Sequence, residues 1–265
     1  MLKKRLIFVL LYDDGKFMLS RNFKLQSVGD MEWLRDNYEY DSIAYAIDEL
    51  VILNVSKESK DISGFCDCLK KVTKQYFMPI AAGGGIRSIE DAKMIFDAGA
   101  DKIVLNTSYF NTPDLIKELI KIYGKQSIIA SIDYNRNEEN NPVYINSGQD
   151  KIQMGLTEAV MHIESIGAGE LLLTSMYDDG TGEGYDYDNL LEISNLVTTP
   201  IIANGGCGQF SQFVKVFQQC NVNAAATADL FNFMCDGLQE AREFVRENGI
   251  ELAKWDIDFF NKVRL

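Results

Sequence analysis

Four short stretches of this chain could hold or move charge: Gly83-Gly84-Gly85-Ile86, Asn106-Thr107, Asp178-Asp179-Gly180 and Asn204-Gly205-Gly206-Cys207-Gly208. Glycine lets backbone N–H groups come close to an anion, and a helix start behind it adds positive dipole. Gly84, Gly85, Asn106 and Thr107 therefore form one candidate phosphate site. Gly180, Gly205 and Gly206 form a second. A ligand with a phosphate at each end would fit the pair; the bland alternative is that these glycines only permit tight turns. The acid–base candidates are Asp133 and Asp179. The chain has one histidine, His162, so proton transfer falls to carboxylates or lysine. His162 lies inside a helical run and is expected to pack, not to react. The bland readings are a loop-capping carboxylate for Asp133 and a turn residue before Gly180 for Asp179.

Composition limits what such sites could serve. The chain has 265 residues and a net charge of −13, from 26 Lys+Arg against 39 Asp+Glu. That balance argues against coating nucleic acid or an anionic membrane, which need basic surface. The five cysteines, Cys66, Cys68, Cys207, Cys220 and Cys235, are odd in number and show no disulfide framework. A reduced, cytoplasmic setting is the simplest reading. Cys66-Asp67-Cys68 is too tightly spaced for a zinc knuckle, so no metal is expected, and no cofactor either. Lys3-Lys4-Arg5 before an apolar run imitates a leader, but the run meets Asp13-Asp14-Gly15-Lys16 and reads as a first strand.

Those residues must be positioned by elements, and the elements alternate. Apolar runs near 5–12, 49–55, 78–82, 101–105, 127–132, 170–175, 199–203 and 223–227 read as strands buried on both faces. Helical patterns lie near 30–46, 61–75, 88–98, 113–122, 155–166, 187–197, 210–219 and 237–248. Eight such units predict a single closed parallel (βα)8 barrel, a TIM barrel, over 1–265; an open doubly wound sheet is the alternative. The halves also repeat. Glu49-Leu50-Val51-Ile52-Leu53 matches Glu170-Leu171-Leu172-Leu173-Thr174, and the stretch from Pro79 matches that from Pro200, both at an offset of 121. Two half-barrels, about 1–124 and 125–250, follow, with a tail at 251–265. In such a barrel the candidate sites fall at the C-terminal ends of strands, where barrels carry their chemistry. At the opposite mouth, Arg5, Glu49, Lys102 and Glu170 begin four strands; the bland reading is a set of solvated charges contributing little, and the sharper expectation is a closed charged ring.

Several ordered motifs then resemble one family. They are Gly83-Gly84-Gly85-Ile86, Ala100-Asp101-Lys102-Ile103-Val104-Leu105-Asn106-Thr107, Gln126-Ser127-Ile128-Ile129-Ala130-Ser131-Ile132-Asp133, the run Gly167 to Ser175 and Asp179-Gly180-Thr181. With the duplicated barrel, they resemble the cyclase subunit of imidazole glycerol phosphate synthase from about residue 2 to about 250. The resemblance implies ammonia supplied by a separate glutaminase subunit, a gate at Arg5, Glu49, Lys102 and Glu170, and a doubly phosphorylated substrate at the far mouth. It implies a glutaminase docked on the gate mouth, with Asp101 at the interface.

The chain also departs from that family. Leu11 stands where the family has a catalytic aspartate, Leu19 at its lysine position, Asn54 at an acidic position and Asp229 at a second-phosphate serine. Leu11 cannot transfer a proton, and losing one member of an acid–base pair costs about 10²–10⁴ in rate. Asp229 opposes a phosphate with like charge, worth about 4 kcal/mol at 4 Å and an effective dielectric of about 20. The Leu-Leu-Tyr at strand one resembles the acetamidino-modification branch found with surface-sugar genes. That branch implies a phosphorylated or sugar-nucleotide ligand and a sugar amidotransferase as a third protein. The alternatives are a working cyclase of histidine biosynthesis and a non-catalytic activator of the glutaminase.

Overall fold

The computed structural model describes residues 3–37, 46–58, 60–74, 78–229 and 232–253. The chain opens with β1 (Arg5–Asp13), a hairpin of β2 (Lys16–Arg21) and β3 (Lys24–Gly29), and α1 (Met31–Asn37). There follow β4 (Glu49–Asn54), α2 (Ile62–Thr73), β5 (Ile80–Gly83), α3 (Ile89–Asp97) and β6 (Lys102–Leu105). Then come α4 (Thr107–Asn111), α5 (Pro113–Tyr123), β7 (Ile128–Tyr134) and a second hairpin, β8 (Pro142–Ile145) with β9 (Asp150–Gly155). The last third adds α6 (Leu156–Ile166), β10 (Glu170–Ser175), α7 (Tyr187–Leu196), β11 (Ile201–Asn204), α8 (Phe210–Gln219), β12 (Ala224–Thr227) and α9 (Gly237–Glu247).

Eight of these strands pair in parallel in the order β10-β11-β12-β1-β4-β5-β6-β7, and β7 pairs back onto β10. The sheet is closed, so the predicted (βα)8 barrel stands and the open sheet does not. Its strands are apolar on both faces for two reasons. Outward residues such as Phe8, Leu50 and Leu171 pack under the helices, while Ile7, Val9, Val51, Val104, Ile129, Leu172 and Ile202 fill the barrel axis. The register also repeats along the chain: Leu50 pairs with Ile80, and Leu171 with Ile201, each 121 residues later.

The two hairpins stand in matching places, directly after β1 and β7, where the sequence reading had only loops. Asp14-Gly15 carries the turn from β1 into β2, and Asn22-Phe23 that from β2 into β3, all four at positive φ, a backbone that suits the twist of paired strands. The helix predicted over 30–46 is described as α1, ending at Asn37; positions 38–45 of that expectation lie outside the described residues, as does 254–265 of the predicted tail.

Candidate functional site

The C-terminal strand ends surround two adjoining cavities of about 450 Å³ and 320 Å³. Gly84, Gly85, Asn106, Thr107 and Asp133 line the first; Gly180, Gly205, Gly206 and Asp229 line the second. Ser20, Asp179, Asn204 and Ala228 belong to both walls, so the two expected anion ends share one mouth. Two glycines are dictated by close approach. Gly84 (φ +102°) lies against the Asn54 carbonyl and Gly206 (φ +98°) against the Gly184 carbonyl, leaving no room for a Cβ at either.

Asp133 sits at the end of β7. Its carboxyl accepts from Asn106 Nδ2 at 3.1 Å and Ser131 Oγ at 3.5 Å. Burial pushes its pKa up to about 7; Lys60 across the cavity works against that rise and Asp179 adds to it. Asp133 can therefore give or take a proton near neutral pH. The buried Oδ1 of Asn106 accepts no hydrogen bond among the described residues, so an acceptor stands ready beside that carboxyl. Thr107 Oγ1 already accepts from the Asn146 N–H at 3.0 Å.

Asp179 is differently placed from a free acid. Its Oδ2 accepts from Ser20 Oγ at 2.5 Å and from the Phe23 N–H at 3.1 Å, while the Asn22 N–H donates to its backbone carbonyl at 2.8 Å. The carboxylate thus pins the β2–β3 hairpin over the mouth. Burial raises its pKa, and the Ser20 and Phe23 donors hold the rise back. The sequence reading missed Ser20 and Phe23; the Asp14-Gly15 turn between two apolar runs was the available signal. It also missed Lys60, Lys57 and Arg87, which line the first cavity.

The departures all face the site. Leu11 is buried at the end of β1 in the wall of the first cavity, and Leu19 lines the second. Asn54 turns inward and its Oδ1 accepts from the Ser56 N–H at 3.2 Å. Asp229 accepts from Asn232 N at 3.0 Å and Asn232 Nδ2 at 2.6 Å, and shares its cavity with Arg21 and Lys24. His162 packs as expected, its Nε2 3.1 Å from the Tyr109 carbonyl and its ring stacked on Phe110.

At the opposite mouth the four charges meet. Arg5 bonds Glu49 at 2.6 Å and also Glu170, and Lys102 bonds Glu49 at 2.9 Å and Glu170 at 2.6 Å. Both carboxylates are buried, each shared between the two cations. Burial raises the pKa of Glu49 despite Lys102 and Arg5. Burial presses Glu170 the same way, but its bond to Arg5 and the two nearby cations bring it below the usual range. Asp101 is exposed on the same face, where its carboxylate accepts from the Ile80 N–H at 2.8 Å. Along the barrel axis, the order is a charged ring, apolar layers and a cavity of mixed lining into which Asp133, Asn106 and Lys60 project.

No helix among the described residues is long and apolar enough to cross a membrane. The fold and site define a parallel (βα)8 barrel with a two-part cleft carrying buried carboxyls at one mouth and an ion-paired ring at the other. A family model described as histidine biosynthesis protein matches residues 31–234. The chain is 42% identical over 258 residues to a protein of Parasynechococcus marenigrum (strain WH8102), provisionally named imidazole glycerol phosphate synthase subunit hisF2; the match covers 97% of this chain and 96% of that one. It is 35% identical to imidazole glycerol phosphate synthase subunit HisF of Clostridium botulinum (strain Okra / Type B1), over 95% of this chain and 99% of that protein. The subunit of the same name from Methanococcus vannielii is 36% identical, over 94% and 98%. The chain belongs to the histidine biosynthesis protein family and, within it, to the HisF-like subunits.

Proposed function

We propose that this chain is the barrel subunit of a glutamine-dependent amidotransferase. It takes ammonia from a glutaminase partner at the Arg5–Glu49–Lys102–Glu170 mouth and delivers it to a phosphorylated or sugar-nucleotide ligand held between Gly84-Gly85 and Gly205-Gly206. The product is an amidine on a bacterial surface sugar, formed here or with a separate sugar amidotransferase. The observation that carries this reading is the pairing of an unbroken charged ring at one mouth with Leu11 in the wall of the cavity at the other. The ring is what ammonia entry needs; Leu11 removes the acid–base partner that cyclisation would need. Asp133 and the open Asn106 acceptor fit a ligand bearing N–H groups.

Ammonia adding to an amide carbon of the sugar forms a C–N bond; the incoming nitrogen gives up two protons, and the former carbonyl oxygen takes both and leaves as water, with no change of oxidation state. Asp133 takes one of the nitrogen's protons or protonates that oxygen. The names of the relatives favour a second reading, the cyclase of histidine biosynthesis. Purified barrel, supplied with ammonium and the histidine-pathway substrate, separates the two. The expected turnover is at least about 100-fold below a working cyclase, in line with loss of one acid–base partner. Turnover within about tenfold of a working cyclase would establish the second reading. Glutamine hydrolysis by the reconstituted pair, with and without sugar nucleotides, tests the first.

A further inference from the structure

Lys60 enters the first cavity from the segment between β4 and α2, not from any strand end. Its stem runs directly over Gly85: a Cβ there would lie 2.8 Å from Lys60 Cβ and 3.1 Å from its Cδ. Glycine at 85 is thus what lets the lysine lie along the turn. The half-buried ammonium donates to Ser147 Oγ at 2.8 Å and to the Asn54 carbonyl at 3.4 Å. Both acceptors are neutral, and an ammonium has three protons to give. Among the described residues it makes no ion pair. Asp133 acts on it across the cavity, and Arg87 opposes it from the turn after Gly85. Burial holds its pKa below the ordinary lysine value, as expected for a charge without a close partner.

We infer that Lys60 is the cation that binds the ligand's phosphate in the first cavity, where the Gly84-Gly85 turn alone would offer only backbone donors. This deepens the phosphorylated-ligand part of the function proposed above and does not rest on ammonia transfer. Asn106 Nδ2 already donates to Asp133, and Thr107 Oγ1 accepts from the Asn146 N–H but keeps its own hydroxyl proton; Arg87 and Lys57 also line the cavity, but Lys60 is the cation whose stem lies against Gly85, and its ammonium has a spare proton to give. The competing role for Lys60 is a tether that only holds the β8–β9 tip through Ser147.

Calorimetric titration of the full chain with inorganic phosphate separates these roles. Lys60→Met should weaken binding about tenfold or more, the usual worth of a charge-assisted bond. Lys60→Arg should stay within about threefold of the wild type, since it keeps the charge. Ser147→Ala removes the tether but keeps the ammonium, and should bind within about threefold or more tightly. Lys117→Met, in an exposed pair with Asp114 on an outer helix, should change nothing. The inference is overturned if the wild type does not bind phosphate, if Lys60→Met binds as the wild type does, or if Ser147→Ala falls as far as Lys60→Met. Ammonia transfer failing while this pattern holds would leave the phosphate role of Lys60 intact.

Discussion

Asp133 shows how far a single residue's chemistry is set by what surrounds it. Its place at a strand end is legible in the sequence; its burial, Asn106 beside it and Lys60 across from it are not, because they come from distant segments. A carboxyl whose folded pKa is about 7, against an ordinary 3.8, prefers to stay protonated in the folded state. Its contribution to stability is therefore full below the unfolded value and is lost as pH rises through about 7. Asp133→Asn removes that titration. The variant should gain roughly 1–2 kcal/mol over the wild type at pH 8, after allowing for partial solvent screening, and nothing near pH 4. Urea unfolding at the two pH values checks this; a difference that does not vary with pH would show that the carboxyl is not the titrating group. Asp179 carries the opposite lesson. As the second Asp of Asp178-Asp179-Gly180 it reads as acid or turn, whereas its bonds to Ser20 and Phe23 make it the pin of a hairpin.

At the scale of elements, the eight barrel strands were legible because a strand buried on both faces must be apolar throughout, and few other segments are. The hairpins were not. Lys24–Gly29 and Asp150–Gly155 are mostly solvent-facing, so no apolar run marks them, and pairing partners are a tertiary fact. The same holds for α9. Its amphipathic pattern is plain, but Arg242 in it looks like any surface cation. It is in fact buried, bonded to both oxygens of Asp48 at 3.0 Å, and Asp48 also accepts from the Leu6 N–H at 2.8 Å. The pair ties the last helix to β1 and to the approach to β4. Arg242→Met leaves Asp48 buried and unmatched, which should cost about 3–5 kcal/mol. Adding Asp48→Asn should recover part of that loss, because the uncompensated charge is gone. Thermal and urea unfolding of the two variants test the order; a double variant less stable than the single one would place the cost elsewhere.

At the scale of the whole molecule, the two mouths of the barrel differ in chemistry, an ion-paired ring at one and a ligand-sized cleft at the other. Helices run back against the strands, so their C-terminal turns surround the ring mouth. Ile122 and Leu196, in or ending such turns, are 53% and 51% exposed there. Asp101 is exposed on the same face. Arg5 and Lys102 each bridge two buried carboxylates, and such a ring is costly to hold unless every member is matched. A ring kept only for the fold could be replaced by apolar packing; a ring that admits a small polar molecule could not. The glutaminase is therefore expected to dock on this face, over Asp101, Ile122 and Leu196. Lys102→Ala and Arg5→Ala, each checked for folding by circular dichroism, should lower glutamine-driven ammonia transfer by about tenfold or more, as losing a buried charged bond does. Transfer from added ammonium salt should change far less. Ile122→Asp, on the exposed helix end, should weaken docking without disturbing the ring. If the partner binds each variant unchanged, and neither glutamine hydrolysis nor ammonia transfer moves, the ring is a structural ion-pair network and ammonia does not pass through it.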